Sequence, residues 1–340
     1  MNSVAKNIKV VVITGPTATG KTALAVGLAR QFGGEIISVD SRQVFRGLDL
    51  GTGKDLEEYG TGAAAVPYHL IDVVEPTEDY HLLAFCRAAA VALDEIAGRG
   101  GLPIFCGGTP LYLDALLRGY TLPGAGPDAA ARQDWKSKTA AELLDLLQTK
   151  DPAAWAGLKD RDNPTRIIRA LEKCDREAAQ FEPIATRIDP LVIGVFYPRR
   201  EVHRRIEERL DRRLAAGMID EVKQLHDRGV SWERLEFFGL EYRYIGRYLQ
   251  GELSRAEMRD QLLFHIRKFA KRQDIWFRKM EREGRNIYWL DRAAQAEAPE
   301  LIRRHLAGEP LPEPVIRIKD IHYGPVTSVA GGSNREEDEL

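Results

Sequence analysis

The chain has 340 residues, enough for one large domain or two modest ones with a substantial apolar core. Its 49 Lys and Arg residues nearly balance 51 Asp and Glu residues, so no global charge favours nucleic acid or a membrane, and such a partner would need a local patch. No stretch is apolar for long enough to cross a bilayer, and the N-terminus lacks a signal-peptide core. The three cysteines have neither metal-site spacing nor a disulfide pattern. We therefore expect a cytoplasmic protein with no membrane partner.

The first predicted element is a strand over 8–13, a β-branched run typical of a buried parallel strand, and a helix is predicted over 23–32. Between them, a Gly-Pro-Thr-Ala-Thr-Gly-Lys-Thr segment matches the P-loop pattern, which binds phosphate through backbone N–H groups and the positive end of the helix dipole. Lys21 would add a positive charge, and Thr22 a hydroxyl for Mg²⁺. The predicted phosphate-binding residues are Gly15, Pro16, Thr17, Ala18, Thr19, Gly20, Lys21 and Thr22.

Strands and helices continue to alternate beyond this loop. The patterns predict strands over 35–40, 68–74 and 102–106, and a helix over 80–97. Such alternation predicts an α/β fold with a P-loop NTPase-like parallel sheet flanked by helices. Because ligands bind at the carboxyl ends of parallel strands, the P-loop and the segments after strands 35–40 and 102–106 should converge on one crevice.

The alternation stops at a Pro- and Gly-rich run over 121–127, and only helical patterns follow until a strand over 191–196 resumes the sheet. Thr139 and Glu142 have capping-box spacing within this block. We therefore predict an all-helical insertion domain that could move as a lid. Charged helices and a last short strand follow, and a Pro-, Gly- and Ser-rich end is expected to be disordered. The predicted division is a core of 1–120 plus 190–307, an insertion of 121–189 and a tail of 308–340.

Two polar residues at predicted strand ends have two interpretations each. Asp40 could cap the next turn or support a magnesium ion, or it could accept a proton from a nucleophile in the crevice. Spacing alone does not separate these roles. Thr109 would more often cap the following helix than react, although a cap at a strand's carboxyl end can also direct its hydroxyl into the site.

Ser254 and Glu257 have capping-box spacing and predict the start of a long helix that runs to about 283. From 264 onwards this helix carries a basic strip interleaved with Phe269, Trp276 and Phe277. Such a strip suits contact with a nucleic-acid backbone, but a charged solvent face fits equally well. Arginine pairs at 166/169 and 205/209 have helical spacing and are by default solvated surface pairs. The strip consists of Arg267, Lys268, Lys271, Arg272, Arg278, Lys279, Arg282 and Arg285.

A P-loop, an aspartate and a helical lid are typical of a nucleotide or metabolite kinase. Two features disfavour that interpretation. The strand over 102–106 runs into glycine instead of a second aspartate of Walker-B type, and a small-molecule kinase needs no basic aromatic strip.

Eight segments together resemble the tRNA dimethylallyltransferases, of bacterial type because no C-terminal Cys/His zinc finger is present. The resemblance runs in order from about residue 10 to residue 290 and is specific as a set. Its segments are Gly-Pro-Thr-Ala-Thr-Gly-Lys-Thr at 15–22, Asp-Ser-Arg-Gln at 40–43, Gly-Leu-Asp-Leu-Gly-Thr-Gly-Lys at 47–54, His-Leu-Ile-Asp at 69–72, Gly-Gly-Thr with Leu-Tyr at 107–112, Arg-Ile-Ile-Arg-Ala-Leu-Glu at 166–172, Arg-Ile-Glu-Glu-Arg at 205–209, and Ala-Lys-Arg-Gln with Trp-Phe-Arg at 270–278.

The resemblance implies prenyl transfer. The P-loop would hold dimethylallyl pyrophosphate with Mg²⁺. The acceptor would be N6 of the adenosine 3′ of the anticodon, in tRNAs that read codons beginning with U. The expected partners are the tRNA anticodon stem-loop and dimethylallyl pyrophosphate, and we expect a monomer. An enzyme that prenylates free adenine nucleotides stays an alternative, against which the basic strip and the long helical insertion count.

Carried over residue by residue, the resemblance implies that Asp40 takes the proton of the attacking amine and that Thr109 contacts the reacting centre. Arg209 would join the P-loop in holding pyrophosphate. Two stretches, 173–178 and 238–243, depart from the family's motifs on surfaces that the family uses for RNA. The implied tRNA-binding residues are Asp40, Ser41, Arg42, Gln43, Thr109, Arg132, Thr165, Arg166, Ile167, Ile168, Arg169, Lys271 and Arg272.

Overall fold

The computed structural model describes residues 7–119, 129–174, 182–292 and 296–321. Six strands form one sheet in the order β3-β2-β4-β1-β5-β6, and every pairing in it is parallel, which confirms the predicted α/β fold. The strands are β1 (Ile8–Thr14), β2 (Gly34–Ser38), β3 (Tyr68–His69), β4 (Leu102–Cys106), β5 (Ile188–Phe196) and β6 (Tyr288–Asp291).

Helices cover both faces of the sheet or pack beyond its edge, and none in the described ranges has the length and apolarity needed to cross a membrane. They are α1 (Lys21–Phe32), α2 (Leu82–Gly98), α3 (Pro110–Arg118), α4 (Ala129–Lys136), α5 (Ala140–Lys150), α6 (Pro152–Gly157), α7 (Pro164–Cys174), α8 (Arg199–Ala215), α9 (Met218–Asp227), α10 (Trp232–Phe238), α11 (Leu240–Leu249), α12 (Arg255–Arg282) and α13 (Ala298–Ala307).

Strand β1 divides the core because its side chains alternate between the two faces of the sheet. Val10 and Val12 pack on one face with α2, α3 and the end of α12. Val11 and Ile13 pack on the other face with α1 and α13. With both faces covered, the strand needs an uninterrupted apolar run, which its sequence has from Val10 to Ile13. Its carboxyl end therefore leads into the P-loop from a rigid, buried position.

The predicted strand over 68–74 is wrong beyond its first two residues. Only Tyr68 and His69 pair with β2, and the chain then turns through Leu70 and Asp72, whose φ angles are 63° and 56°. This turn directs the carboxylate of Asp72 to the ammonium of Lys54, which is only 1% exposed. A buried cation needs such a partner, so a contact that is distant in sequence overrides the apolar pattern.

Helices α8 to α12 enclose a third cluster, which the sequence patterns did not predict. It includes Val44, Phe45 and Leu48 from the loop after β2, together with Phe238 and Tyr242. The loop that follows Asp40 is therefore anchored against the C-terminal helices.

Helices α4 to α7 surround a cluster of their own, centred on Leu143, Leu147, Ile167 and Leu171, which contains no residue of the sheet. The capping box of Thr139 with Glu142 is present at the start of α5. The block lies between α3 and β5 in sequence. Residues 120–128 and 175–181 lie outside the described ranges, so the domain boundaries at 121 and 189 stay predictions.

The prediction of a disordered tail from residue 308 is wrong for residues up to 321. Ile318 is 1% exposed and packs in the sheet-face cluster, with Ile316 and Ile321 partly buried beside it. The Lys319 N–H donates to Glu281 Oε2 at 2.7 Å, and an Arg278 N–H donates to the Ile321 carbonyl at 2.6 Å. The segment is ordered because three isoleucines pack against the core, although its Pro-rich composition favours disorder. The predicted tail beyond 321 lies outside the described residues.

Ile318 should therefore contribute measurably to stability. We expect Ile318→Ala to lower the free energy of unfolding by about 2–4 kcal/mol, because it removes apolar atoms from a packed core. Urea unfolding measures this change. Val315→Ala, in the same segment but 98% exposed, should change the free energy of unfolding by less than about 0.5 kcal/mol. Equal effects of the two substitutions would contradict the packing of this segment.

Candidate phosphate and RNA site

The P-loop joins β1 to α1 in a conformation that depends on its glycines. Gly15 has φ 145°, and a Cβ there would lie 2.8 Å from the Val195 carbonyl oxygen. Gly20 precedes α1 with φ 80°, and no side chain caps the first N–H groups of that helix. Ala18, with φ 65°, also adopts a left-handed conformation. The loop therefore presents backbone donors next to a helix N-terminus, as an anion cradle requires.

Lys21 supplies the predicted charge of this cradle. Its Nζ donates to the Pro16 carbonyl at 2.7 Å. Burial lowers the pKa of Lys21 to about 8, with a further lowering from the nearby Arg209. A cation in this state is stabilised strongly by an incoming anion.

Helix α8 brings two arginines to the P-loop. An Arg209 N–H donates to Thr17 Oγ1 at 2.6 Å, and burial lowers the pKa of Arg209 to about 10. Arg205 donates from Nε to the Ala18 carbonyl at 2.8 Å and stacks over Tyr197. The default interpretation of this pair as solvated surface residues is wrong. Arg205 was missed as a site residue, although its spacing of four from Arg209 was the available signal.

Asp40 and Thr109 follow the neighbouring strands β2 and β4, and a hydrogen bond joins the two segments that carry them. The Ser41 N–H donates to Thr109 Oγ1 at 3.2 Å, and the Arg42 N–H donates to Asp40 Oδ1 at 2.8 Å. Thr109 precedes α3, but its hydroxyl makes no cap to that helix. The Asp40 carboxylate lies close enough to raise the pKa of Lys21, against the larger lowering by burial. The structure thus brings together the three predicted segments.

Gln43 supports the loop after β2. Its Oε1 accepts from Ser38 Oγ at 2.8 Å, and its Nε2 donates to the Gly53 carbonyl at 2.9 Å. Both ends of the side-chain amide therefore have partners within the protein. These bonds give the Gln43 side chain a role in supporting the loop, and its contact with RNA stays a prediction.

Arg42 lies beside an aromatic surface. Its guanidinium carbon lies 4.6 Å from the centroid of the Phe237 ring, and that of Arg234 lies 4.9 Å from the same centroid. Phe237 is 50% exposed. Cations stacked on an exposed ring are suited to contact with nucleotides.

The basic strip of α12 is narrower than predicted. Arg267 pairs with Glu207, Arg278 with Asp274, and Arg285 donates to the Leu117 carbonyl, so these three serve internal contacts. An exposed face with helical spacing remains beside them, and the apolar Phe264 and Ile275 on it are 61% and 54% exposed. Its members are Phe264, Lys268, Lys271, Arg272, Ile275, Lys279 and Arg282, which we call the α12 face.

The helical block presents only part of its predicted RNA-binding set. Thr165, Arg166 and Arg169 are exposed, and Arg166 pairs with Asp160 at 2.8 Å. Ile167 and Ile168 are 0% and 6% exposed, so the assignment of their side chains to RNA contact is wrong. An apolar residue at the core face of a helix is withdrawn from any ligand. Arg132 is half-buried and pairs with Glu172 at 2.8 Å.

In the stretch 238–243, which departs from the family's motif, two of the side chains pack in the protein core. Phe238 and Tyr242 are each 1% exposed, and the Tyr242 hydroxyl donates to Glu221 Oε1 at 2.8 Å. The expectation that this stretch lies on an RNA surface is therefore wrong for these two side chains. Of the other departure, Lys173 and Cys174 end α7, and the remainder lies outside the described residues.

The donors near the P-loop fit a magnesium ion that arrives with a phosphate ligand. Within the described ranges, no cluster of three His, Cys, Asp or Glu residues could hold a metal by itself. The Thr22 hydroxyl at the start of α1 and the Asp40 carboxylate are oxygen donors, the type that Mg²⁺ prefers. Mg²⁺ commonly uses one or two such groups together with water and substrate phosphates.

Comparison with known proteins gives a consistent result. The chain matches the family described as IPP transferase over residues 43–280 and that described as isopentenyl transferase over residues 8–64. It is 50% identical over 288 residues to tRNA dimethylallyltransferase 2 of Trichlorobacter lovleyi, covering 84% of this chain and 93% of that protein. It is 46% identical over 283 residues to tRNA dimethylallyltransferase 1 of Syntrophus aciditrophicus, covering 83% and 93%.

Two solved structures are similar over most of the chain. The full-length tRNA isopentenylpyrophosphate transferase of Bacillus halodurans has a TM-score of 0.64 at 34% identity, covering 89% of this chain and 98% of that one. A eukaryotic dimethylallyltransferase acting on tRNA has a TM-score of 0.73 at 22% identity, covering 90% and 81%, and shows the shared fold.

The lowered pKa of Lys21 predicts how anion binding depends on pH. Lys21 loses its proton as the pH rises through about 8, so binding of an anion above that pH must include proton uptake. We expect the affinity for pyrophosphate to fall by up to about tenfold per pH unit above that value. Calorimetric titration measures this dependence. Lys21→Ala should bind more weakly and lack the additional fall; an identical pH dependence in both proteins would contradict the role of Lys21.

Proposed function

The chain belongs to the IPP transferase family, and we propose that it transfers a dimethylallyl group from dimethylallyl pyrophosphate to N6 of the adenosine 3′ of the anticodon in tRNAs that read codons beginning with U. The observation that carries this proposal is the arrangement around the P-loop. Lys21, Arg205 and Arg209 concentrate positive charge at the loop, and Asp40 and Thr109 lie beside it.

The chemistry requires a stabilised leaving group. An amine conjugated to a purine is a poor nucleophile, so most of the catalysis must act on the allylic C–O bond. As that bond breaks, its electron pair passes to pyrophosphate, where negative charge grows next to the P-loop N–H groups, Lys21 and Arg209. The N6–C bond forms at the allylic carbon, which tolerates much positive charge. A site closed to water protects this carbon from hydrolysis.

Asp40 would accept the proton that N6 loses. Its carboxylate is held by the Arg42 N–H and faces the same crevice as Lys21. The Thr109 hydroxyl, which accepts from the Ser41 N–H, can donate its own proton towards the bridging oxygen that leaves. Magnesium, held in part by Thr22, would neutralise charge on the pyrophosphate.

The RNA would contact several surfaces at once. The target base must leave its stack to reach a crevice at the carboxyl ends of the strands. Arg42, which is stacked on Phe237 and lies two residues after Asp40, suits the support of an unstacked nucleotide. Lys271 and Arg272 on the α12 face would contact the RNA backbone. The helical block, through Arg132 and the exposed residues Thr165, Arg166 and Arg169, would grip the anticodon stem-loop. We further propose that the protein works as a monomer in the cytoplasm, where its tRNA substrate is made.

Transfer of label tests the proposed function directly. The protein is incubated with labelled dimethylallyl pyrophosphate and, separately, total tRNA, AMP or ATP. Label in tRNA at the adenosine 3′ of the anticodon supports the proposal. Label in AMP instead indicates prenylation of free nucleotides, and loss of phosphate from ATP alone indicates a kinase; either result contradicts the proposal.

Asp40→Ala should leave tRNA binding largely intact while turnover falls by about 10²–10⁴-fold, because the amine proton then has no acceptor. Asp40→Asn is the matched variant, since its side-chain oxygen can still accept from the Arg42 N–H but cannot act as a base. Single-turnover transfer and filter binding of tRNA separate the two effects. Turnover close to the wild-type rate in Asp40→Asn would remove Asp40 as the proton acceptor.

Lys271→Ala should weaken tRNA binding and reduce the slope of log affinity against log salt concentration by about 0.9, the effect of one lost phosphate contact. Binding titrations over a range of salt concentrations measure the slope. Lys223→Ala, which removes an exposed cation from α9, provides the control and should leave the slope unchanged. Equal slopes for wild type and Lys271→Ala would show that Lys271 makes no contact with RNA.

A further inference from the structure

Gln273 lies on α12 and is 3% exposed, yet its side chain is polar. Its Oε1 accepts from the Thr17 N–H at 2.9 Å, and its Nε2 donates to the Gly108 carbonyl at 2.7 Å. The Thr17 N–H can only donate and the Gly108 carbonyl can only accept, so these partners fix the orientation of the amide. Burial makes each bond important, because an unpaired polar group in this position would be costly.

The two partners belong to the two halves of the site. Thr17 is in the P-loop after β1, and its hydroxyl also accepts from Arg209. Gly108 is in the turn after β4, directly before Thr109. A Cβ at Gly108 would lie 2.8 Å from Gln273 Nε2 and 3.2 Å from the Gly15 carbonyl oxygen, so glycine at this position allows the three segments to approach closely.

We propose that Gln273 is a positioning residue for the transfer reaction: its amide holds the P-loop and the turn carrying Thr109 at a fixed separation, so that both address the same leaving pyrophosphate. This inference rests on the proposed function. Gln273 touches no reacting atom and acts only through the Thr17 N–H and the Gly108 carbonyl. It directly follows Lys271 and Arg272, so one turn of α12 joins the RNA-facing surface to the phosphate cradle.

Gln273→Met keeps the length of the side chain and removes both hydrogen bonds. We expect it to weaken pyrophosphate binding and to lower kcat by about 100-fold, since small displacements of positioned groups can have effects of that size, while tRNA affinity stays at the wild-type value. Gln261→Met on the exposed side of the same helix is the control and should change none of these quantities. Wild-type kcat and pyrophosphate affinity in a folded Gln273→Met protein would overturn the proposal, and so would a loss of tRNA affinity as large as the loss in kcat.

Gln273→Glu gives a second measurement that does not depend on the methionine variant folding. A carboxylate can accept from the Thr17 N–H but repels the Gly108 carbonyl, whereas the protonated acid can donate to it. We therefore expect the ratio of variant to wild-type kcat to rise as the pH falls. A ratio independent of pH would overturn the proposal. Pyrophosphate binding is measured for every protein, which separates the two proposals. A wild-type protein that binds pyrophosphate but transfers no label would contradict the proposed function. The comparison of pyrophosphate affinity between wild type and the Gln273 variants would then still test the role of Gln273 at the P-loop.

Discussion

The rest of the site is arranged around two buried cations, Lys21 and Arg209, at the carboxyl ends of the parallel strands. Burial lowers the pKa of Lys21 to about 8 and that of Arg209 to about 10, and the two charges repel each other. Such cations are stabilised most by a ligand with several negative charges, and more strongly as charge grows on that ligand. A departing pyrophosphate has this property. The positive end of the α1 dipole adds to the attraction of this site for an anion.

The loop that carries Asp40 is held rigid by buried charges of its own. Lys54 is paired with Asp49 and Asp72 and donates to the Phe45 carbonyl, so its desolvated charge is satisfied. Glu221 on α9 accepts from three successive backbone N–H groups, at residues 49–51, and from the Tyr242 hydroxyl. These contacts join the loop to the C-terminal helices. The Asp40 carboxylate on such a loop is preorganised, as the proposed proton acceptor would need to be.

Sequence patterns predicted correctly those elements whose stabilising contacts lie within a few residues of each other. The β1–P-loop–α1 unit and the capping boxes at Thr139 and Ser254 are contained within a few residues each, and their sequences were sufficient. Contacts between distant residues were not accessible in the same way. The bond between Thr17 and Gln273 spans 256 residues, and the position of Gln273 at the site depends on it. The position of Arg205 depends on the packing of α8 against the P-loop. For the same reason the sequence did not show that the predicted strand ends at His69, where the chain turns and Asp72 pairs with Lys54. It also did not show that Ile318 is buried, because this burial depends on a surface formed by α12 and β6.

Helix α12 connects recognition with chemistry because its sides face different environments. One side places Lys268, Lys271 and Arg272 in solvent beside the exposed Phe264 and Ile275. Another side buries Gln273 against the P-loop and packs Phe277 and Met280 into the core. A helix can couple these two sides only if it does not bend or fray. The Ser254–Glu257 capping box secures its start, and Glu281, held by the Trp289 indole N–H and the Lys319 backbone N–H, secures its last turn. The contacts at both ends of α12 therefore hold its exposed basic residues and Gln273 in one fixed relation to the P-loop.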